Sequence, residues 1–154
     1  MSKEFIKKKL FFLIRSFVFL VGLFGSGIAS ENKKELIKFS SENAHIKRKD
    51  GVLHLSGNVK ISYRQYLIKA DFLFAKTTSI DPRGFKTIEA NKNIYFSNNK
   101  DITAKGDYLF MDVKEKFVSI EGNVEFAQGE SIIRAEKINV DLETETVDFE
   151  GIKD

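Results

Sequence analysis

One strand phrase recurs along this chain and constrains its fold more than any other feature. Leu53-His54-Leu55-Ser56-Gly57-Asn58-Val59-Lys60-Ile61 returns as Val118-Ser119-Ile120-Glu121-Gly122-Asn123-Val124-Glu125-Phe126, with a weaker copy between them, Ile88-Glu89-Ala90-Asn91-Lys92-Asn93-Ile94-Tyr95-Phe96. A second phrase follows each at nearly the same distance: Ile68-Lys69-Ala70, Ile102-Thr103-Ala104 and Ile133-Arg134-Ala135. Recurrence of this kind marks a repeat architecture, in which each unit needs its neighbours to bury its apolar face.

The unit is a strand. Leu53, Leu55, Gly57, Val59, Ile61 and Tyr63 occupy alternate positions, with His54, Ser56, Asn58, Lys60 and Ser62 between them. Val118, Ile120, Gly122, Val124 and Phe126 alternate in the same way with Ser119, Glu121, Asn123 and Glu125. Period-two alternation is the signature of half-buried strands. Polar or glycine-bearing turns separate the runs at Lys49-Asp50-Gly51, Asp81-Pro82-Arg83-Gly84, Ser97 to Asp101, Lys114-Glu115-Lys116 and Gln128-Gly129-Glu130. The expectation is an all-β chain built as a sandwich, barrel or rolled sheet. Glu31 to Leu36 is the one helical candidate, and it is short.

Two irregularities interrupt the pattern. Glycine inside a strand marks a bend, a bulge or a close backbone approach, and Gly57 and Gly122 stand at inward positions. Lys92 stands there in the middle copy, so that unit is expected to differ locally. The steps from Ala70 to Leu73 and from Ala135 to Ile138 span three residues, which predicts a bulge or bend and leaves the faces of Phe72 and Phe74 open. Ser41 to Gly57 also matches Ala135 to Gly151, so the chain is expected to start part-way through one repeat and stop part-way through another.

Residues 1–30 are of another kind. Lys3, Lys7, Lys8 and Lys9 form a basic start, Leu10 to Leu23 is apolar apart from Arg15, Ser16 and Gly22, and Gly27-Ile28-Ala29-Ser30 offers a small-residue junction. This is the layout of a secretory signal peptide. An uncleaved membrane span is the alternative, interrupted by Arg15. Loss of the segment removes five of 25 basic and one of 22 acidic residues, leaving 20 against 21 and a net charge of −1. The basic balance thus belongs to the leader, and no nucleic-acid partner is expected, since binding one needs a basic patch on the folded domain. Residues 31–154 make one domain, and without cysteine they must fold without disulfides, as is ordinary in a bacterial periplasm.

No catalytic constellation is present in the sequence. His45 and His54, placed to pair across a hairpin, are too few for a metal site, so no metal or other cofactor is expected. The acids Glu121, Glu125, Asp141, Glu143 and Glu145 alternate with apolar residues, as on a solvated strand face. The aromatic residues Phe72, Phe74, Phe96, Phe110, Phe117, Phe126 and Phe149 suit either a packed core or an apolar interior wide enough for acyl chains.

Gly57-Asn58-Val59, Gly122-Asn123-Val124, Ile68-Lys69-Ala70-Asp71 and Ala135-Glu136-Lys137-Ile138 carry a resemblance to the LptA/OstA-like family of lipopolysaccharide transport, over roughly Phe39 to Gly151. The resemblance implies a twisted, open β-jellyroll with an apolar groove for lipid A acyl chains. It also implies no enzymatic activity, and a periplasmic bridge of subunits joined head to tail between inner-membrane LptC-like and outer-membrane LptD-like partners. On that reading the groove residues are the inward members of the runs: Ile61, Ile68, Ile94, Phe96, Val118, Ile120, Val124, Phe126 and Val140. The subunit and partner contacts fall on terminal edge strands, at Leu36, Ile37 and Phe39 and at Val147 and Phe149. Lys92 and a C-terminus at Asp154, short for the family, depart from the pattern. The alternatives are a membrane-anchored LptC-like component and a structural β-repeat adaptor that carries no lipid.

Overall fold

The computed structural model describes residues 17–20, 37–77 and 84–154. Leu36, the helical candidate and the Asp81-Pro82-Arg83 turn lie outside the described residues, as does most of the expected leader. Ten strands form one antiparallel sheet: β1 (Phe17–Leu20), β2 (Ile37–Ser41), β3 (Asn43–Lys47), β4 (Val52–Tyr63), β5 (Tyr66–Thr77), β6 (Phe85–Ser97), β7 (Ile102–Asp112), β8 (Phe117–Gln128), β9 (Ser131–Asp141) and β10 (Thr146–Glu150). Each strand pairs with the next in sequence except around β3, where β2 and β3 together run along β4. Short turns and antiparallel hairpins suffice for this order, because neighbours in sequence are neighbours in space.

Each pairing between long strands shifts register at the same level of the sheet, and β5–β6 shifts again at its end between Lys76 and Thr77. The register shifts between Ser56 and Val59, Lys69 and Phe72, Asn91 and Ile94, Lys105 and Tyr108, and Glu121 and Val124. Together these bulges draw a crease across the sheet, since an extra residue on one strand kinks it and increases its twist. On one side of the crease lies a front layer, made of β3, β10 and the strand halves that include Leu55, Leu73, Ile88, Leu109, Ile120 and Ile138. The back layer lies on the other, made of β2 and the halves that include Ile61, Ile68, Phe96, Ala104, Phe126 and Ala135. The layers face each other: Phe39 of the back layer packs on Phe85 of the front with ring centroids 4.8 Å apart, and Phe126 meets Phe149 edge to face at 5.1 Å. The result is an open, twisted β-jellyroll, as the resemblance implies.

The two phrases turn out to be one device. Gly57 and Asn58 have φ of 78° and 45°, and Gly122 and Asn123 have 82° and 46°. Each asparagine reaches across to an acid earlier in the chain: Asn58 Nδ2 donates to Glu42, at the bend between β2 and β3, at 2.6 Å, and Asn123 Nδ2 to Asp107 of β7 at 3.0 Å. The middle copy was expected to differ, and it does not. Lys92 and Asn93 adopt φ of 64° and 52°, and Asn93 Nδ2 donates to Asp71 at 2.8 Å. The left-handed conformation costs a residue with a Cβ about 1–2 kcal/mol, a strain that the bulge and its amide contact hold. Lys92 also lies over the Phe72 ring, 5.5 Å from its centroid. Phe72 itself points outward and is exposed, and Phe74 is half-buried against His54 on the same face.

Candidate lipid-binding interior and its edges

All nine residues expected inside are there. Ile61, Ile68, Ile94, Phe96, Val118, Ile120, Val124, Phe126 and Val140 are each no more than 4% exposed and belong to one continuous apolar cluster. Ile61 and Ile68 lie opposite each other across β4 and β5, and Ile68 in turn faces Phe96. Val118 faces Val140 and Ile120 faces Ile138 in the front layer, while Val124 and Phe126 lie in the back layer. Full burial of such side chains stabilises the fold by about 1.5–3 kcal/mol each.

The interior carries more than the sequence singled out. Ile88, Leu109 and Met111 are fully buried on β6 and β7, and Tyr63 and Tyr66 are buried where β4 turns into β5. The Tyr66 hydroxyl donates to the Leu142 carbonyl at 3.2 Å, tying the β4–β5 hairpin of the back layer to the β9–β10 turn of the front. Burial raises both phenols above the ordinary tyrosine range, Glu143 adding to the effect at Tyr63 and Glu145 at Tyr66. The Tyr66 hydroxyl therefore keeps the proton it donates. In the facing turn, the backbone N–H groups of Thr144 and Glu143 hold the Asp141 carboxyl below its usual range. On the back layer, Gln65 accepts from Asn99 through its carbonyl and Gln128 donates to Asp101, so neighbouring hairpin tips are joined.

The crease acids are the residues that sequence reasoning missed. Glu42, Asp71 and Asp107 hold the asparagines, and Glu136 receives the end of the chain, its N–H donating to the Gly151 carbonyl at 3.1 Å. The signal was present in the acid that ends Ile68-Lys69-Ala70-Asp71 and Ala135-Glu136. What it lacked was a partner, which lies on another strand.

The expected edge residues divide. Ile37 and Phe39 are 7% and 1% exposed, with side chains in the core, so a partner at β2 would meet backbone rather than these side chains. In the whole chain the far side of β2 is taken by β1, with Phe19 opposite Phe39. Val147 and Phe149 are partly buried against the core, and β9 is the only strand paired with β10 among the described residues. Past β10 the chain continues along β9, where Lys153 bridges to Arg134. Interior-facing apolar groups come to the surface at both ends of the sheet. Ile46, opposite buried Leu53, is 42% exposed on β3, and Ile152 is 66% exposed beside β9.

His45 and His54 do pair across their hairpin, rings 6.4 Å apart. Among the described residues no group of three or more histidine, cysteine, aspartate or glutamate side chains could hold a metal, and no helix is long and apolar enough to cross a membrane.

Residues 38–146 match the family model described as LptA/(LptD N-terminal domain) LPS transport protein. Among solved structures the fold is similar to the crystal structure of LptH from Pseudomonas aeruginosa, the LptA-homologous periplasmic component of the conserved lipopolysaccharide transport device. That likeness has a TM-score of 0.65 at 18% sequence identity, and covers 73% of this chain and 80% of LptH. No curated protein sequence matches the chain.

Proposed function

We propose, from the premise that this chain belongs to the LptA/(LptD N-terminal domain) LPS transport protein family, that it is a periplasmic bridge component that binds lipopolysaccharide and shields its lipid A acyl chains between the two layers. The observation that carries this reading is the single apolar interior running the length of the sheet and surfacing at both ends, at Ile46 and Ile152. An acyl chain would enter there and replace side-chain contacts between layers that are joined covalently only through the bent strands. The fold supplies a carrier surface, in keeping with a family described as a transport protein.

The test is photocrosslinking from inward positions in the exported protein. A photoreactive residue at Val124 or Phe126 is expected to capture lipopolysaccharide, and one at Glu121, outward on the front layer, is expected not to. Equal capture from Val124 and Glu121 would mean that the lipid lies on the surface, and no capture from either would favour the adaptor that carries no lipid.

The bridge itself requires open edges. Cleavage of residues 1–30 takes β1 away and exposes the N–H and C=O groups of β2, while β10 offers its own unpaired side. Such edges template strand addition, and a head-to-tail contact of this kind builds open filaments. The same edges would receive the LptC-like and LptD-like partners. Consecutive N–H groups of a strand point to opposite sides, so of the pair Asp148→Pro and Phe149→Pro one removes a donor to β9 and the other a donor to the outer edge. One of the two is expected to stay folded yet lose concentration-dependent oligomers in light scattering. If both remain folded and oligomeric, β10 is not the junction.

A further inference from the structure

The outward faces of the two layers differ in charge. On the back layer the register sets Lys60, Lys69, Tyr95, Lys105, Glu125 and Arg134 in one row, each directly opposite the next. Lys153 extends it, bridged to Arg134. The outer rows of the front layer instead carry mostly acids, Glu89, Glu121, Asp148 and Glu150, with Lys137 set between Glu121 and Glu150. Adjacent members of the back row are about 5 Å apart, the spacing of strands in a sheet.

This row is not neutralised from within. Lys60 and Lys69 face each other directly, an arrangement that destabilises a strand pair. The single acid, Glu125, is committed to Arg134 at 3.6 Å. Among the described residues no carboxylate forms an ion pair with Lys60, Lys69 or Lys105. Lys69 lies over the half-buried Tyr95 ring, 5.3 Å from its centroid. Beside the row runs the crease, where Asn58 and Asn93 donate through Nδ2 to Glu42 and Asp71, leaving their amide oxygens to accept from a ligand. A cleft of about 680 Å³ opens at this junction, lined by Ser40, Lys60, Lys69 and Tyr95 and, on its crease side, by the acids Glu42 and Asp71 with the asparagines they hold.

We propose that this cleft and the row leading from it bind an anionic saccharide chain, namely the phosphate- or carboxylate-bearing sugar portion of the lipopolysaccharide. Sugar rings would lie on the Tyr95 face and the anions on Lys60, Lys69 and Lys105. The assignment rests on the lipopolysaccharide reading above but uses the opposite face of the sheet from the acyl chains. The cations Lys60, Lys69 and Lys105 form a line, bordered by the crease carboxylates on one side and on the other by a row with one further cation, Lys38, followed by Ser62, Leu67 and Ser97. A flat anionic bilayer would meet those carboxylates together with the lysines, whereas a linear anion follows the row. Hydrogen-bonding amides and a serine hydroxyl in a concave site beside an aromatic ring suit a sugar better than a bare phosphate.

The probe is lipopolysaccharide stripped of its acyl chains but retaining its phosphates, titrated calorimetrically into the exported protein. Binding is expected, weakening as salt screens the charges. The triple variant Lys60→Gln, Lys69→Gln, Lys105→Gln should bind at least tenfold more weakly, while Lys47→Gln with Lys76→Gln on the front layer should bind as the parent does. Circular dichroism of the variants, all changed at exposed side chains, is expected to match the parent. An unchanged triple variant, equal binding of an uncharged oligosaccharide, or preference for anionic phospholipid vesicles would each overturn the saccharide site. Failure of the deacylated probe to bind while Val124 still crosslinks intact lipopolysaccharide overturns this site and leaves the interior reading standing. Binding of the probe without crosslinking at Val124 does the reverse.

Discussion

Ile120→Asp is expected to leave the chain without a cooperative thermal transition. Ile120 is fully buried in the middle of β8, opposite Leu109 on one side and Ile138 on the other. A carboxylate placed there has no cation facing it, and the effective penalty for an unpaired buried ion is several kcal/mol. Loss of the isoleucine contacts adds about 2–5 kcal/mol, the range for large-to-small core changes. Together these approach the whole stability of a domain, about 5–15 kcal/mol. Ile120→Val in the same place should cost only about 0.5–1.5 kcal/mol and keep the transition sharp. Far-UV circular dichroism on heating distinguishes the two. A cooperative Ile120→Asp melt within a few degrees of the parent would mean that the front-layer interior admits water, and hence that the layers are already parted in solution.

The second large effect is expected at the crease, with opposite signs in two copies of the same bulge. Gly122 has φ of 82°, and a Cβ there would lie 2.7 Å from Asp107 Oδ2 and 2.9 Å from its Cβ. Gly122→Val must therefore either push Asp107 aside or straighten the bulge. Straightening would undo the register step between Glu121 and Val124, and a one-residue slip would turn a strand's inward side chains to solvent. A β-branched residue in the left-handed region is a genuine outlier, and strain plus clash together are expected to cost about 2–4 kcal/mol, within the upper range for single substitutions. Lys92→Gly makes the converse change. It relieves a left-handed lysine at φ of 64° at the expense of the Phe72 contact and some unfolded-state entropy, so a gain of up to about 1 kcal/mol is expected. Thermal melts of the two variants should move in opposite directions. If Lys92→Gly destabilises by more than about 1 kcal/mol, the upper estimate for an exposed cation–π contact, the lysine has a role that its backbone strain does not reveal.

Much of the interior was legible because a strand encodes its buried face locally. Val118, Ile120, Val124 and Phe126 could be assigned inward from alternation alone, and so could Ile61 and Ile68. Val140 followed from its place in the repeated second phrase. Ile88, Leu109 and Met111 were passed over: Ile88 stood in the weaker copy, and the β7 run from Ile102 to Met111 carries Gly106 and Asp107 in its middle. The face of Phe72 was not legible, because the three-residue step from Ala70 to Leu73 reverses the parity of the pattern and only the partner strands say which way. Ile37 and Phe39 looked like edge residues by position and proved to be core residues by side chain, since a strand can expose its backbone edge while burying one face.

By itself the sequence determined that this chain is all-β, that it repeats, and which side chains share a face, because alternation and turn chemistry act over a few residues. Tertiary structure decided what the repeat is for. The asparagine of each bulge and the acid that holds it are separated by 16 residues at Glu42 and Asn58 and at Asp107 and Asn123, and by 22 at Asp71 and Asn93. Only pairing of adjacent strands brings them together. The facing of the two layers, and the bond from Tyr66 to Leu142 that joins turns 76 residues apart, depend on twist summed over the whole sheet. The same holds for the row of lysines on the outer face: each is an ordinary outward residue in its own strand, and only the register of the five hairpins from β4 to β9 sets them in a line.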